Sequence, residues 1–141
     1  MTEVQIALVK QTWSFFRKLD PVLVGDVFYG KLFVLAPELK NLFHTTHEEQ
    51  SKKIVDMLSL IVGHLHHLDQ LGDEISQLGK RHVGYGVKSH HYKIVETALL
   101  WTLQHGLGRD WNEQVKDAWE ACFTILSDSM IKASGYSAKS L

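Results

Sequence analysis

Apolar residues recur three and four positions apart along almost the whole chain, and nowhere do they alternate with period two for long enough to make a convincing strand. A period of 3.6 gathers such residues on one stripe of a helix, so the sequence predicts an all-α protein. Val4, Ile6, Leu8, Val9, Trp13, Phe16 and Leu19 mark a first amphipathic helix. Asp20-Pro21 reads as an N-cap followed by proline at the first helical position, where the missing N–H costs nothing. A second helix runs from there to about Ala36, and Pro37 breaks it before the short helical turn PELKNLF. Thr46 and Glu49 have capping-box spacing and open a long helix through Leu65. A shorter helix over roughly 73–83 follows the Leu71-Gly72 joint. Ser89 is expected to cap the next helix, and Gly106 and Gly108 to terminate it. Asp110, with Glu113, is expected to cap the last one. The tail GYSAKSL, residues 135–141, is expected to fray.

With 141 residues the chain is expected to form one domain spanning 1–141. A net charge of −1 gives no electrostatic case for nucleic acid or an anionic membrane as partner. The longest apolar runs fall far short of a bilayer span, and the N-terminus lacks the basic-then-apolar shape of a signal peptide. One cysteine, Cys122, allows no internal disulfide and suits a reducing compartment, so a cytoplasmic protein is expected.

The stretch QLGKRHVGYGV, residues 77–87, sets one histidine among glycines near a helix end. Glycines there let a bulky planar group or another backbone come close. A histidine one turn after Leu78 can donate its Nδ1–H to the Leu78 carbonyl, which fixes the tautomer and aims Nε2 outward as a metal ligand. Alternatively, His82 is a surface histidine helping to finish a helix. The stretch alone leaves both open.

The chain as a whole resembles the globin family, from Trp13 to AWEACFTIL in the last helix. The most specific pieces are FYGKLFVLAPELKNLF (28–43), LGKRHVGYGV (78–87) and SHHYKIVETALLWTL (89–103). The likeness is strongest to bacterial single-domain globins and the haem domain of flavohaemoglobins. It implies a globin fold of roughly seven to eight helices around haem b. It also implies His82 as proximal iron ligand, Phe43 against the porphyrin face, and Leu78, Val87, Tyr92 and Val95 on the proximal or lateral wall. Lys53 and Arg81 are candidates for the propionates, the alternative being ordinary solvated charge.

On the distal side the resemblance brings Tyr29 and Gln50 to the open coordination position, with Ile54 one turn beyond Gln50. O2 on ferrous iron becomes a partly negative acceptor, and phenol and amide are both donors. The alternatives are a plain core tyrosine and a solvent-facing glutamine. An amide is a poor iron ligand, so ferrous iron with an open sixth position is expected; His44 or His47 would reach iron only if the helix shifted. The remaining histidines read as structural: HLHH at 64–67 lacks the ligand set of a zinc site. His90, His91 and His105 sit at helix ends, and one of the first two is a further propionate candidate.

The resemblance implies reversible binding of O2, NO and CO for storage, delivery or scavenging by a monomer or weak dimer. A second reading is nitric-oxide dioxygenation with a separate reductase, since the flavin and nicotinamide domain of flavohaemoglobins has no counterpart in these residues. A gap-free comparison sets Ser134 where those proteins carry an acidic residue supporting the proximal histidine, which weakens that reading. A third is a gas sensor acting through a separate partner.

Overall fold

The computed structural model describes residues 1–84, 86–88 and 90–134. They form α1 (Glu3–Arg17), α2 (Pro21–Leu35), α3 (His47–Gly63), α4 (Gly72–Gly84), α5 (His91–Leu107) and α6 (Glu113–Ser134), joined in part by 3₁₀ segments at Pro37–Leu42, Leu65–Leu71 and Gly108–Asp110. The expected all-α architecture is what the chain adopts. Ser89, expected to cap α5, and the tail from 135 lie outside the described residues.

The caps explain most boundaries. Asp20 Oδ1 accepts the Val22 N–H at 3.0 Å, and Pro21 is the first residue of α2. Thr46 Oγ1 accepts the Glu49 N–H at 3.2 Å, one half of the expected box. A reciprocal box does occur at α1, where Thr2 and Gln5 exchange bonds of 3.1 and 2.9 Å. Three expectations are corrected. Gly106 does not end α5: its missing Cβ leaves room for the Phe16 ring, which would lie 2.6 Å from such an atom, and the helix stops at Gly108 with φ +55°. Asn112 rather than Asp110 caps α6, its Oδ1 accepting the Val115 N–H at 2.9 Å, because Asp110 is taken into the preceding 3₁₀ turn. The long helix stops at Gly63, where the His64 ring turns back onto the Leu60 carbonyl at 2.9 Å.

Two buried indoles organise the core. Trp119 is 0% exposed and Trp13 2%, with ring centroids 5.9 Å apart. Trp119 Nε1–H donates to Thr12 Oγ1 at 2.9 Å, and Trp13 Nε1–H to Ser59 Oγ at 3.0 Å. Each hydroxyl passes its own proton to a helix carbonyl, Leu8 and Val55 respectively, both at 2.7 Å. No polar atom of this cluster is left to bear the cost of burial without a partner. Thus α1, α3 and α6 are locked in register.

Two helix crossings depend on missing side chains. A Cβ on Gly25 of α2 would fall 1.8 Å from Ser51 Oγ and 2.5 Å from Ser51 Cβ of α3. A Cβ on Gly79 of α4 would fall 2.5 Å from the Met130 carbonyl oxygen of α6. The second case identifies what Gly79 does: it sets α4 directly on α6. The helices α3 and α4, in contrast, pack little on each other among the described residues.

Candidate functional site

Close packing of Gly79 on α6 fixes the last turns of α4, and with them His82. Its Nδ1 lies 2.7 Å from the Leu78 carbonyl oxygen, the bond expected from the one-turn spacing. With the proton on Nδ1, the lone pair belongs to Nε2. Burial is the main cause that lowers the His82 pKa; the Leu78 bond opposes it and the neighbouring Arg81 charge adds to it. The ring is thereby held neutral, the form a metal accepts. The Tyr92 ring stacks beside it at 6.4 Å and 27°. Beyond it, the Val87 N–H returns to the His82 carbonyl at 2.9 Å, and Gly86 takes φ +91°, a value L side chains rarely adopt. His91, read from the sequence as a helix-end residue, is buried and accepts the Lys88 N–H on Nδ1 at 2.9 Å, pinning the same corner.

The other expected pocket residues fall into two separate apolar clusters. Leu78 and Tyr92 pack with Leu71, Ile75 and Met130. Tyr29, Phe43, Ile54 and Val95 pack with Phe28, Leu32 and Ala98. Phe43, Ile54, Leu78, Tyr92 and Val95 are only partly buried, although all are large and apolar. A neutral imidazole stacked on Tyr92, at the edge of an incompletely covered apolar cluster, fits a flat apolar group with a metal at its centre. Lys53 and Arg81 are exposed, and neither joins an ion pair among the described residues. Ser134 ends α6, and its side chain lies outside what is described.

Tyr29 is buried in α2, its ring edge-on to Phe43 at 5.3 Å and against Phe28 at 4.8 Å. Burial raises its pKa, so the phenol keeps its proton and acts as a donor. That proton goes to the main-chain oxygen of Gln50 at 3.2 Å. The Gln50 amide donates to Thr45 Oγ1. Both expected distal donors are therefore engaged by the protein itself. His47 Nε2 lies 2.5 Å from Asp26 Oδ1, and His44 is exposed. Thr45 and Asp26 escape a reading of the sequence; the signal for Asp26 is its spacing of three before Tyr29, matching that of His47 before Gln50. Farther off, His66 lies 3.0 Å from Glu3 Oε2. The backbone of His67 is non-helical (φ −141°, ψ 48°), so the HLHH run does not form one continuous helix face.

These features define a class: an all-helical fold, among the described residues, with a partly buried neutral imidazole near a helix end beside one apolar cluster and a buried phenol in a second. The globin family model matches residues 26–130, and the chain belongs to the globin family. Globins are haem proteins, so haem is implied. The Vibrio cholerae flavohaemoprotein is 27% identical over 138 residues, covering 96% of this chain but 35% of its own length. The chain thus spans about a third of that relative. The Tetraodon nigroviridis neuroglobin is 30% identical over 137 residues, covering 87% of this chain and 86% of its own. Among solved structures, an engineered carbene transferase from Rhodothermus marinus, with a provisional nitric oxide dioxygenase assignment, superposes with a TM-score of 0.85 at 23% identity, covering 95% of this chain and 93% of that one.

Proposed function

We propose that residues 1–141 are one haem b globin domain that binds O2 and other diatomic gases reversibly, for storage, delivery or scavenging. The observation that carries this reading is the 2.7 Å bond from His82 Nδ1 to the Leu78 carbonyl, which leaves the Nε2 lone pair available and so supports a proximal role for the ring. Haem, when bound, supplies an iron with one position open to a diatomic gas. His82 orients that iron, while Leu78, Phe43, Ile54, Val87, Tyr92 and Val95 keep water from the slot. Lys53 and Arg81 serve the propionates at its mouth. No described helix is long and apolar enough to cross a membrane, and the cytoplasm is the proposed location.

Tyr29 and Gln50 set gas retention by competition. The Tyr29 proton must leave the Gln50 carbonyl to reach a partly negative ligand. A hydrogen bond to a charged acceptor contributes about 1.5–3 kcal/mol against about 0.5–1.5 for a neutral one. The exchange therefore favours the gas by about 1–1.5 kcal/mol, roughly tenfold in retention. Tyr29→Phe is expected to release O2 about tenfold faster in stopped-flow mixing; an unchanged rate would remove Tyr29 from the site. Hemin titration tests the wider reading. The chain should take up one haem with a five-coordinate ferrous spectrum, and His82→Ala should lose that proximal signature.

The resemblance to flavohaemoproteins supports a second reading, nitric-oxide dioxygenation with a separate reductase. Multiple turnovers of the oxygenated protein with NO and a cellular reductase test it; reaction that stops after one equivalent leaves the binding role.

A further inference from the structure

The two distal residues are each preceded, one turn earlier on the same helix, by a residue of a second pair. Asp26 stands three before Tyr29 on α2, and His47 three before Gln50 on α3. Residues three apart share a helix face, so the seam between α2 and α3 is bridged twice. The inner bridge is Tyr29 Oη–H to the Gln50 carbonyl at 3.2 Å. The outer bridge is His47 Nε2 to Asp26 Oδ1 at 2.5 Å, with the imidazole edge-on to the Tyr29 ring at 5.9 Å. Among the described residues these are the side-chain hydrogen bonds that join the two helices. The neighbouring Gly25–Ser51 approach adds none, since Ser51 Oγ is buried without a partner.

We propose that Asp26 and His47 form a latch on the gas pocket, closing the α2–α3 seam in front of Tyr29 and governing how fast a diatomic ligand enters. This inference rests on the distal role proposed above for Tyr29 and Gln50. Two features of the pair suit a latch. Its side chains are 46% and 60% exposed, so water competes for the bond and it opens without unfolding either helix. Tyr29, at 6% exposure, lies directly against the imidazole of that pair, so opening the pair uncovers its ring. The inner bridge cannot do this work alone. When the phenol turns to a gas it lets go of the Gln50 carbonyl, and the outer bridge is then the remaining side-chain hydrogen bond between α2 and the first turn of α3 among the described residues.

The test is CO rebinding after flash photolysis of the ferrous haem protein, with Asp26→Ala, His47→Ala and the double variant. Each single substitution is expected to speed association about two- to fivefold, the range that the coupling of an exposed ion pair allows. The double variant is expected to be no faster than either, because both remove the same bond. Unchanged association in both single variants overturns the latch, and so does a double variant whose rate is the product of two independent effects. Amide hydrogen exchange at Gln50 and Ser51 supplies a readout that needs no gas: Asp26→Ala should exchange faster there, and equal exchange overturns the proposal. Exchange is also measured on the chain without haem. Failure to take up hemin would sink the gas-binding reading while the latch is still tested by itself.

Discussion

Replacing Gly25 by alanine puts a methyl group where α2 and α3 touch. The added Cβ would lie 1.8 Å from Ser51 Oγ, 2.5 Å from Ser51 Cβ and 3.2 Å from Ser51 Cα. A rotamer change moves only the first of these atoms. The other two belong to a buried helix, so relief requires the helices to part by about 1 Å to restore ordinary carbon contact. At contacts this short overpacking costs about 2–3 kcal/mol, the upper part of its usual range, and alanine returns about 0.8–1 kcal/mol of helix propensity. The net loss is about 1–2 kcal/mol, or roughly 2–8 °C in melting temperature for a chain of this size. Gly25 is one turn from Tyr29, and Ser51 adjoins Gln50. The same displacement therefore acts on the 3.2 Å bond from Tyr29 to the Gln50 carbonyl, already near the limit for an O–H donor. Thermal unfolding and stopped-flow O2 dissociation should change together. Adding Ser51→Gly removes both clashing side-chain atoms and should recover most of the packing loss, apart from glycine's own helix penalty. A Gly25→Ala protein as stable as the parent, or a double variant that merely adds two losses, would refute this account of the crossing.

Other substitutions probe single features. Ser51→Ala deletes a hydroxyl that is buried without a partner, and should raise the urea midpoint by the equivalent of about 1 kcal/mol; a lowered midpoint would mean the hydroxyl is satisfied. Thr45→Val frees the Gln50 amide from its present acceptor and should slow O2 release several-fold, whereas an unaltered rate would show that the amide does not reach the gas. Burial lifts the Cys122 thiol from an ordinary 9.0 to about 12. Between those values the folded chain keeps a proton that the unfolded chain gives up, so stability should fall as pH rises above 9.0, by up to about 1.4 kcal/mol per unit. Urea unfolding at pH 8 and 10.5 would test this, and Cys122→Ala should lose that part of the slope. Iodoacetamide should label the native thiol only once denaturant is added.

Helices, their order and the bond that orients His82 were legible because each is written in local spacing. Apolar period, the Asp20-Pro21 start and the one-turn reach from His82 to Leu78 need no knowledge of distant residues. Helix ends were legible only where one candidate stood alone. Asp110 and Asn112 are both competent caps, and the 3₁₀ turn that takes up the first decides between them. Gly106 reads as a terminator until the Phe16 ring, ninety positions earlier, is seen to occupy its missing side chain. Contacts between helices escaped entirely. Asp26 with His47, and Gly25 with Ser51, are far apart in the chain, and no periodicity reveals which faces meet. The same holds for the expected distal donors: the resemblance names Tyr29 and Gln50, but only the folded chain brings Tyr29 to the Gln50 carbonyl and the Gln50 amide to Thr45 Oγ1.

The anchorage of α4 has a consequence for what keeps His82 in place. That helix leans chiefly on α6, through Gly79, and is little buttressed by α3. The segment from Gly72 to Gly84 therefore keeps its place only while α6 is seated beneath it. Protease sensitivity of that segment would then report how firmly the last described helix is docked, and with it how steadily the imidazole is held.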